Sequence, residues 1–274
     1  MAKTKSKKSV SKKVVSKKKA PKKEQAKVPA ISMLLYGKAG VGKSILANTF
    51  PKSLVFDFDN SHKMYKETFQ DNTYISGAVQ IKKGNKITNL SMIQLLQISV
   101  EQIKSGTFQY ETLVIDSLTN LENDAVAFAK GLSEASWHKS LYSQNGKKMT
   151  YDNWGNISGS TISLLLELRK YDVNVVVITQ VDTKQVDGTE KQYPQLIGKS
   201  QNESLHFPDF VGYMTKAEGK SGVERYLHLN SLTNDEFVAK ARLVQGEVDP
   251  IKNPHYSKIA ELVSANKSNL DFSN

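Results

Sequence analysis

The chain has no cysteine among its 274 residues, which excludes disulfides and thiolate metal sites alike. That composition fits a reducing compartment. Long apolar runs are missing too. Nothing approaches the ~20 residues that span a bilayer, so no membrane association is expected. The lysine-rich start lacks the apolar segment of a secretory signal, and a cytoplasmic location is the expectation. Neither a Gly-x-Ser-x-Gly elbow nor a His-Glu-x-x-His pair occurs, so the hydrolases built on them have no support. His62, His138, His206, His228 and His255 are scattered, with no close-spaced pair to hold a metal. No internal repeat is visible.

An excess of one charge is absent from most of the chain, despite a formal net charge of +11. Residues 1–27 hold twelve lysines against one acid, Glu24, leaving 26 basic and 26 acidic side chains elsewhere. The body is formally neutral and the excess sits on an arm. Residues 1–28, rich in Lys, Ser, Val and Ala, cannot bury enough apolar area to offset ordering entropy and are expected to be disordered. A flexible polycation binds polyanions by counterion release, which points to nucleic acid. A solubility tail or a localisation address has the same composition.

The most informative stretch follows. Met33, Leu34, Leu35 and Tyr36 read as a short buried strand. Gly37-Lys38-Ala39-Gly40-Val41-Gly42-Lys43-Ser44 then matches G-x-x-x-x-G-K-[ST] residue for residue. A helix carrying Ile45, Leu46, Ala47 and Phe50 for packing comes next, stopped by Pro51. Wrapping phosphate oxygens in backbone N–H groups requires glycine where a side chain would block approach. The following helix start adds partial positive charge. Lys43 would reach the β- and γ-phosphates of ATP, and the Ser44 hydroxyl would ligate Mg²⁺. The nucleotide-binding stretch is expected to run from Gly37 through Ile45.

Further strands are read at 53–60, ending in Asp57 and Asp59, at Thr112–Ser117, and at 173–180. Helices are expected at about 92–103 with Gly106 as the stop, at 120–130, and at 160–170. Alternation of this kind implies a parallel sheet covered on both faces. Residues 61–90 carry no clear pattern. The segment 136–155 interleaves Trp137, Tyr142, Tyr151 and Trp154 with lysines, which suits base stacking with phosphate neutralisation, or two tryptophans packed under a loop. Residues 182–204 read as a polar loop. Strands at 210–215 and 224–229 form a hairpin, 237–242 adds a short strand, and a helix spans about 257–265. The expected organisation is a tail at 1–28, a nucleotide-binding core at 29–246, and a C-terminal helix and tail at 247–274.

A phosphate loop needs a neighbouring acid for magnesium and a group that orients the attacking water. Asp116, closing Leu113-Val114-Ile115, is the natural metal-side carboxylate, although a helix N-cap would also use it. Asp57 and Asp59 end a strand at the edge where open α/β sheets bind ligands. Together GKAGVGKS, FPKSLVFDFDN, LVIDS, VVVITQ and AKAR resemble the RecA/RadA-like recombinase ATPase core. More narrowly, they resemble phage-encoded nucleotide-binding proteins related to RecA that act in single-strand annealing. The resemblance covers roughly residues 31–245.

It implies a RecA-like α/β P-loop fold with a mostly parallel central sheet and a C-terminal β-hairpin. It also implies that Asp59 orients the hydrolytic water, where the wider family has glutamate. Gln180, after Thr179, would sense the γ-phosphate and pass its state to a DNA-contacting loop at 182–204, with 136–155 as a second such loop. Lys240 and Arg242 would be offered across a subunit interface to a neighbour's γ-phosphate.

The expectation is therefore a DNA-dependent ATPase using ATP and Mg²⁺, with Lys43, Asp59, Asp116, Gln180 and Arg242 in the reaction and Ser44 and Asp116 at the metal. It would bind single-stranded DNA and promote annealing or strand exchange as a ring or filament. A single-strand-binding protein would be a partner, and a bacterial host's cytoplasm the setting. Two alternatives stand. One is a nucleotide-switched DNA-binding scaffold with little turnover. The other is a small-molecule kinase, which would want an arginine-rich lid, yet residues 181–222 contain no arginine.

Overall fold

The computed structural model describes residues 28–83, 86–129, 153–220, 222–230 and 236–267. The lysine-rich tail and most of the 136–155 segment, Trp137 and the Trp154 side chain included, lie outside the described residues.

Apolar runs of four to six residues form the inner strands β1 (Ser32–Gly37), β2 (Ser53–Asp57), β6 (Thr112–Asp116) and β7 (Asn174–Ile178), all buried along their length. Strands covered on both faces need such continuous hydrophobicity. β3 (Thr73–Ile75) and β10 (Phe210–Gly219) complete a parallel set ordered β10-β1-β7-β6-β2-β3. β11 (Gly222–His228), β12 (Lys240–Ala241) and β13 (Ile251–Lys252) join antiparallel on the β10 side, giving nine strands among the described residues. The α/β fold, mostly parallel sheet and β10–β11 hairpin agree with the sequence reading.

Period-two alternation sends successive side chains to opposite faces. Leu34, Tyr36, Leu113, Ile115, Val175 and Val177 share one core with α2 (Met92–Lys104), α3 (Leu118–Ala129) and α4 (Asn153–Leu168). Met33, Leu35, Val114, Val176 and Ile178 share the other with α1 (Lys43–Asn48) and α6 (Tyr256–Lys267). Each fully buried Val or Leu contributes roughly 1.5–3 kcal/mol. α2 starts at a capping box, in which Ser91 Oγ accepts the Gln94 amide and Gln94 Oε1 accepts the Ser91 amide. It ends just before Gly106, which is left-handed at φ 69°.

Two segments depart from expectation. Residues 61–90, unassigned from sequence, hold a 3₁₀ turn (His62–Met64), β3, and a separate hairpin of β4 (Val79–Lys83) and β5 (Lys86–Leu90). The expected loop at 182–204 is instead a second separate hairpin, β8 (Val181–Val186) with β9 (Thr189–Pro194), followed by the short helix α5 (Ser200–Glu203). Its turn uses Asp187 and Gly188, both at positive φ. Few of its residues are buried, so its sequence lacks the apolar signature of a strand.

Candidate nucleotide site

β1 delivers the glycine-rich loop at the carboxyl edge of the parallel strands. Gly37, φ 148°, is wedged against β10, where a Cβ would lie 2.5 Å from the Met214 carbonyl oxygen. Val41 is buried and anchors the loop from below. The Lys43 ammonium folds back across the loop, donating to the carbonyls of Gly37 (2.8 Å) and Lys38 (3.1 Å). Burial holds its pKa below the usual lysine range, against the opposing pull of Asp116 and Asp59. Leu46, Ala47 and Phe50 face the core, whereas Ile45, expected to pack as well, is 37 % exposed on the outer face of α1.

Asp116 ends β6 with only 3 % exposure and is joined to Ser117 by a cis peptide. Burial first, then the charges of Asp59 and Asp57, push its carboxyl up to about 7, while the Ser44 hydrogen bond and Lys43 pull it down. Ser44 also pairs with the Tyr65 phenol. Asp59, just past β2, is exposed and held by its Oδ1, which accepts from Ser117 Oγ (3.0 Å) and Asn120 Nδ2. Asp57 has a different task. Buried at 1 %, it accepts from the Ser61 hydroxyl, the His62 amide (2.7 Å) and the His62 ring (3.0 Å), fixing the turn after β2.

These groups converge on a cavity of about 310 Å³ lined by Gly40, Lys43, Ser44, Asp59, Asp116 and Gln180, among others. The Thr179 hydroxyl also borders it, fully buried and with no hydrogen-bond partner among the described residues. A larger recess of about 1100 Å³ lies around Tyr110, Tyr171 and Tyr256, but none of the loop residues reaches it. The donor set fits magnesium. Among the described residues no group of three or more His, Asp or Glu side chains could hold a metal unaided. A cation at Ser44 and Asp116 would take its remaining ligands from phosphate and water, as Mg²⁺ commonly does. It would also relieve the carboxylate crowding at Asp116.

Gln180 is tied to this centre through its backbone. Its amide donates to Thr119 Oγ1 (3.0 Å), and that hydroxyl donates to the Gln195 carbonyl (2.9 Å). Gln195 N–H returns to the Gln180 carbonyl (2.8 Å), closing the base of the β8–β9 hairpin. One turn along α3, the buried Glu122 carboxylate accepts from the Ile197 amide and the Ser200 hydroxyl. The hairpin itself carries Lys184 and Lys191 against Asp182, Asp187 and Glu190, so it lacks the basic excess a phosphate-tracking element would show.

Arg242 does not join the site of its own chain. β12 pairs with the start of β10, Lys240 opposite Val211, and the Arg242 amide bonds the Asp209 carbonyl. Asp209 lies five residues before Met214, the partner of Gly37, or roughly 16 Å along the strand. The Arg242 guanidinium donates to the His206 carbonyl (3.0 Å), and the Lys240 ammonium to that of Leu205. Tyr65, Ser117, Thr119 and Asn120 were missed from sequence. The last three fall within one turn after Asp116, and that spacing was the available signal. Tyr65, inside an unpatterned stretch, gave none.

A family model described as an AAA domain (AAA_24) matches residues 30–243. No curated protein matches the chain. Among solved structures, the crystal structure of a KaiC-like protein from the hyperthermophilic archaeon Pyrococcus horikoshii OT3 is similar at 14 % identity and a TM-score of 0.42. That alignment covers 77 % of this chain and 84 % of the other.

Proposed function

Because the chain belongs to the AAA-domain family, we propose that it binds ATP with Mg²⁺ at the Gly37–Ile45 loop, hydrolyses it, and uses the cycle to handle single-stranded DNA. The observation that carries the reading is the convergence of Lys43, Ser44, Asp116 and Asp59 on one cavity. Lys43, released from the loop carbonyls, neutralises phosphate oxygens. Ser44 and Asp116 hold the metal, which would offset negative charge developing on the transferred phosphoryl group. Asp59 keeps Oδ2 outside the Ser117 and Asn120 hydrogen bonds, available to accept a proton from an attacking water.

The DNA partner rests on the arm at residues 1–27, whose twelve lysines suit counterion release. Thr119 supplies a short path from the cavity to the base of the β8–β9 hairpin, and the hairpin is the element a nucleotide state would move. Annealing or strand exchange within a homo-oligomer, with Arg242 offered to a neighbour's site, extends the same reading.

Steady-state phosphate release, titrated with single-stranded DNA while light scattering follows mass, tests it. DNA-stimulated release that vanishes in Lys43→Ala supports the ATPase. Absence of release by the wild type refutes it. A second reading, a DNA-binding switch with little turnover, is favoured by the two donors already engaging Asp59, and tight ATP binding without phosphate release would select it.

A further inference from the structure

β10 does not stop where β1 stops. Gly37 is opposite Met214, and the strand continues through Thr215–Gly219 past the mouth of the phosphate loop. β11 then returns beside it, placing Arg225 directly opposite Lys216. Both side chains reach the loop. A Cβ on Gly42 would lie 2.6 Å from Arg225 Cδ and 2.7 Å from its Nε, and one on Gly40 would lie 3.6 Å from Lys216 Nζ. Gly42 is required by its φ of 99°, and the arginine side chain lies directly over it.

Arginine is scarce here: Arg169, Arg225 and Arg242 are the only three in 274 residues. Arg225 Nε is buried and has no hydrogen-bond partner among the described residues. Native proteins seldom leave a buried donor of this kind unpaired, because it forfeits hydration without replacement. Among the described residues no carboxylate forms an ion pair with Arg225 or Lys216, although the neighbouring Glu224 pairs with Lys252 at 2.7 Å. The Arg225 charge is also felt at Tyr65, the partner of Ser44. A cation held over a phosphate-binding loop, with a buried N–H lacking an acceptor, matches an anion on that loop.

We propose that Arg225, supported by Lys216, is a nucleotide-phosphate contact supplied in cis by the β10–β11 hairpin. This rests on the nucleotide reading above. The planar guanidinium can bond two phosphate oxygens at once, and the lysine adds a point charge beside it. Occupancy of the loop then fastens the hairpin, making β10–β11 an element ordered by nucleotide.

Isothermal titration of the full-length chain with MgATP tests the proposal, using wild type, Arg225→Ala, Arg225→Gln and Lys216→Ala. Charge-assisted hydrogen bonds predict a loss of about 10- to 100-fold for Arg225→Ala and Arg225→Gln, and of less than about 10-fold for Lys216→Ala. Hydrogen exchange across residues 210–228 should slow on MgATP addition in the wild type and much less in Arg225→Gln. If the alanine variant melts before titration, the glutamine variant, which keeps a polar side chain through Cδ, carries the test. Wild-type affinity in a folded Arg225→Gln overturns the proposal while leaving the nucleotide site standing. A wild-type chain that binds no MgATP overturns both, and the variants then have no affinity to lose.

Discussion

The Thr119 hydroxyl accepts the backbone N–H of Gln180 at 3.0 Å, joining the first turn of α3 to the end of β7. Because the same hydroxyl donates to Gln195, one side chain holds both feet of the β8–β9 hairpin. Thr119→Val keeps the shape and removes both bonds. It should cost about 1 kcal/mol in a urea melt, since a part-buried amide and a part-buried carbonyl lose their partner. ATP affinity should change little, whereas stimulation of phosphate release by single-stranded DNA should fall several-fold. Undiminished stimulation would show that the hairpin does not transmit nucleotide state through this residue.

Gly37 admits no side chain. A Cβ 2.5 Å from the Met214 carbonyl would force β1 and β10 apart, and β10 is backbone that cannot simply rotate away. Gly37→Ala should destabilise by roughly 1–3 kcal/mol and depress ATP binding by more than tenfold. Thermal melting and a binding titration on the same sample would check both.

Asp116 confers a pH dependence with a defined direction. Its carboxyl titrates at about 7 in the folded protein, against 3.8 as the ordinary value. Between those values the native state keeps a proton that the unfolded chain has released. The metal-free protein should therefore lose stability as pH rises from 4 to 7, and the loss levels off above that. In Asp116→Asn this component disappears. With chelator present, the variant should exceed the wild type by on the order of 4 kcal/mol at pH 8 and match it near pH 4, where both side chains are neutral. An equal pH slope in the two proteins would contradict this account.

Arg225 and Arg242 can be separated by mixing. Arg242→Ala should bind ATP normally but fail to turn it over, and adding Lys43→Ala subunits should restore part of the activity, because each supplies what the other lacks. Arg225→Gln, acting within its own chain, should not be rescued by the same mixing. Rescue of both variants, or of neither, would remove the distinction between cis and trans cations.

Deleting residues 1–27 should weaken single-stranded DNA binding and flatten its salt dependence, by roughly 0.7 in the log–log slope for each phosphate that the arm no longer neutralises. ATP affinity at the Lys43 site should be untouched. An unchanged slope would take the arm out of DNA binding.

What the sequence revealed was local. Gly37 to Ser44 is one continuous loop, and Leu113–Asp116 and Val175–Ile178 are apolar runs whose burial leaves no choice of partner face. Contacts made only by folding were hidden. Tyr65 meets Ser44, Thr119 meets Gln180, and Arg225 meets Gly42 across long separations, and no spacing rule joins them. The β8–β9 hairpin escaped for another reason: with solvent on most of both strands, neither apolar alternation nor a continuous run marks it. Ile45 faces outward because a short helix has only one inward stripe, and Leu46, Ala47 and Phe50 already fill it.

The position of β1 between β7 and β10 has a consequence for biosynthesis. Ile31, just before the strand, bonds Asn174 across 143 residues, and Ser32, its first residue, bonds Asp209 across 177. On the ribosome the phosphate loop emerges long before either flanking strand exists, so its apolar stem must wait unpaired while most of the chain is translated. Non-local pairing of this kind is slow and leaves sticky intermediates. The loop that would grip the nucleotide is thus made early and housed late.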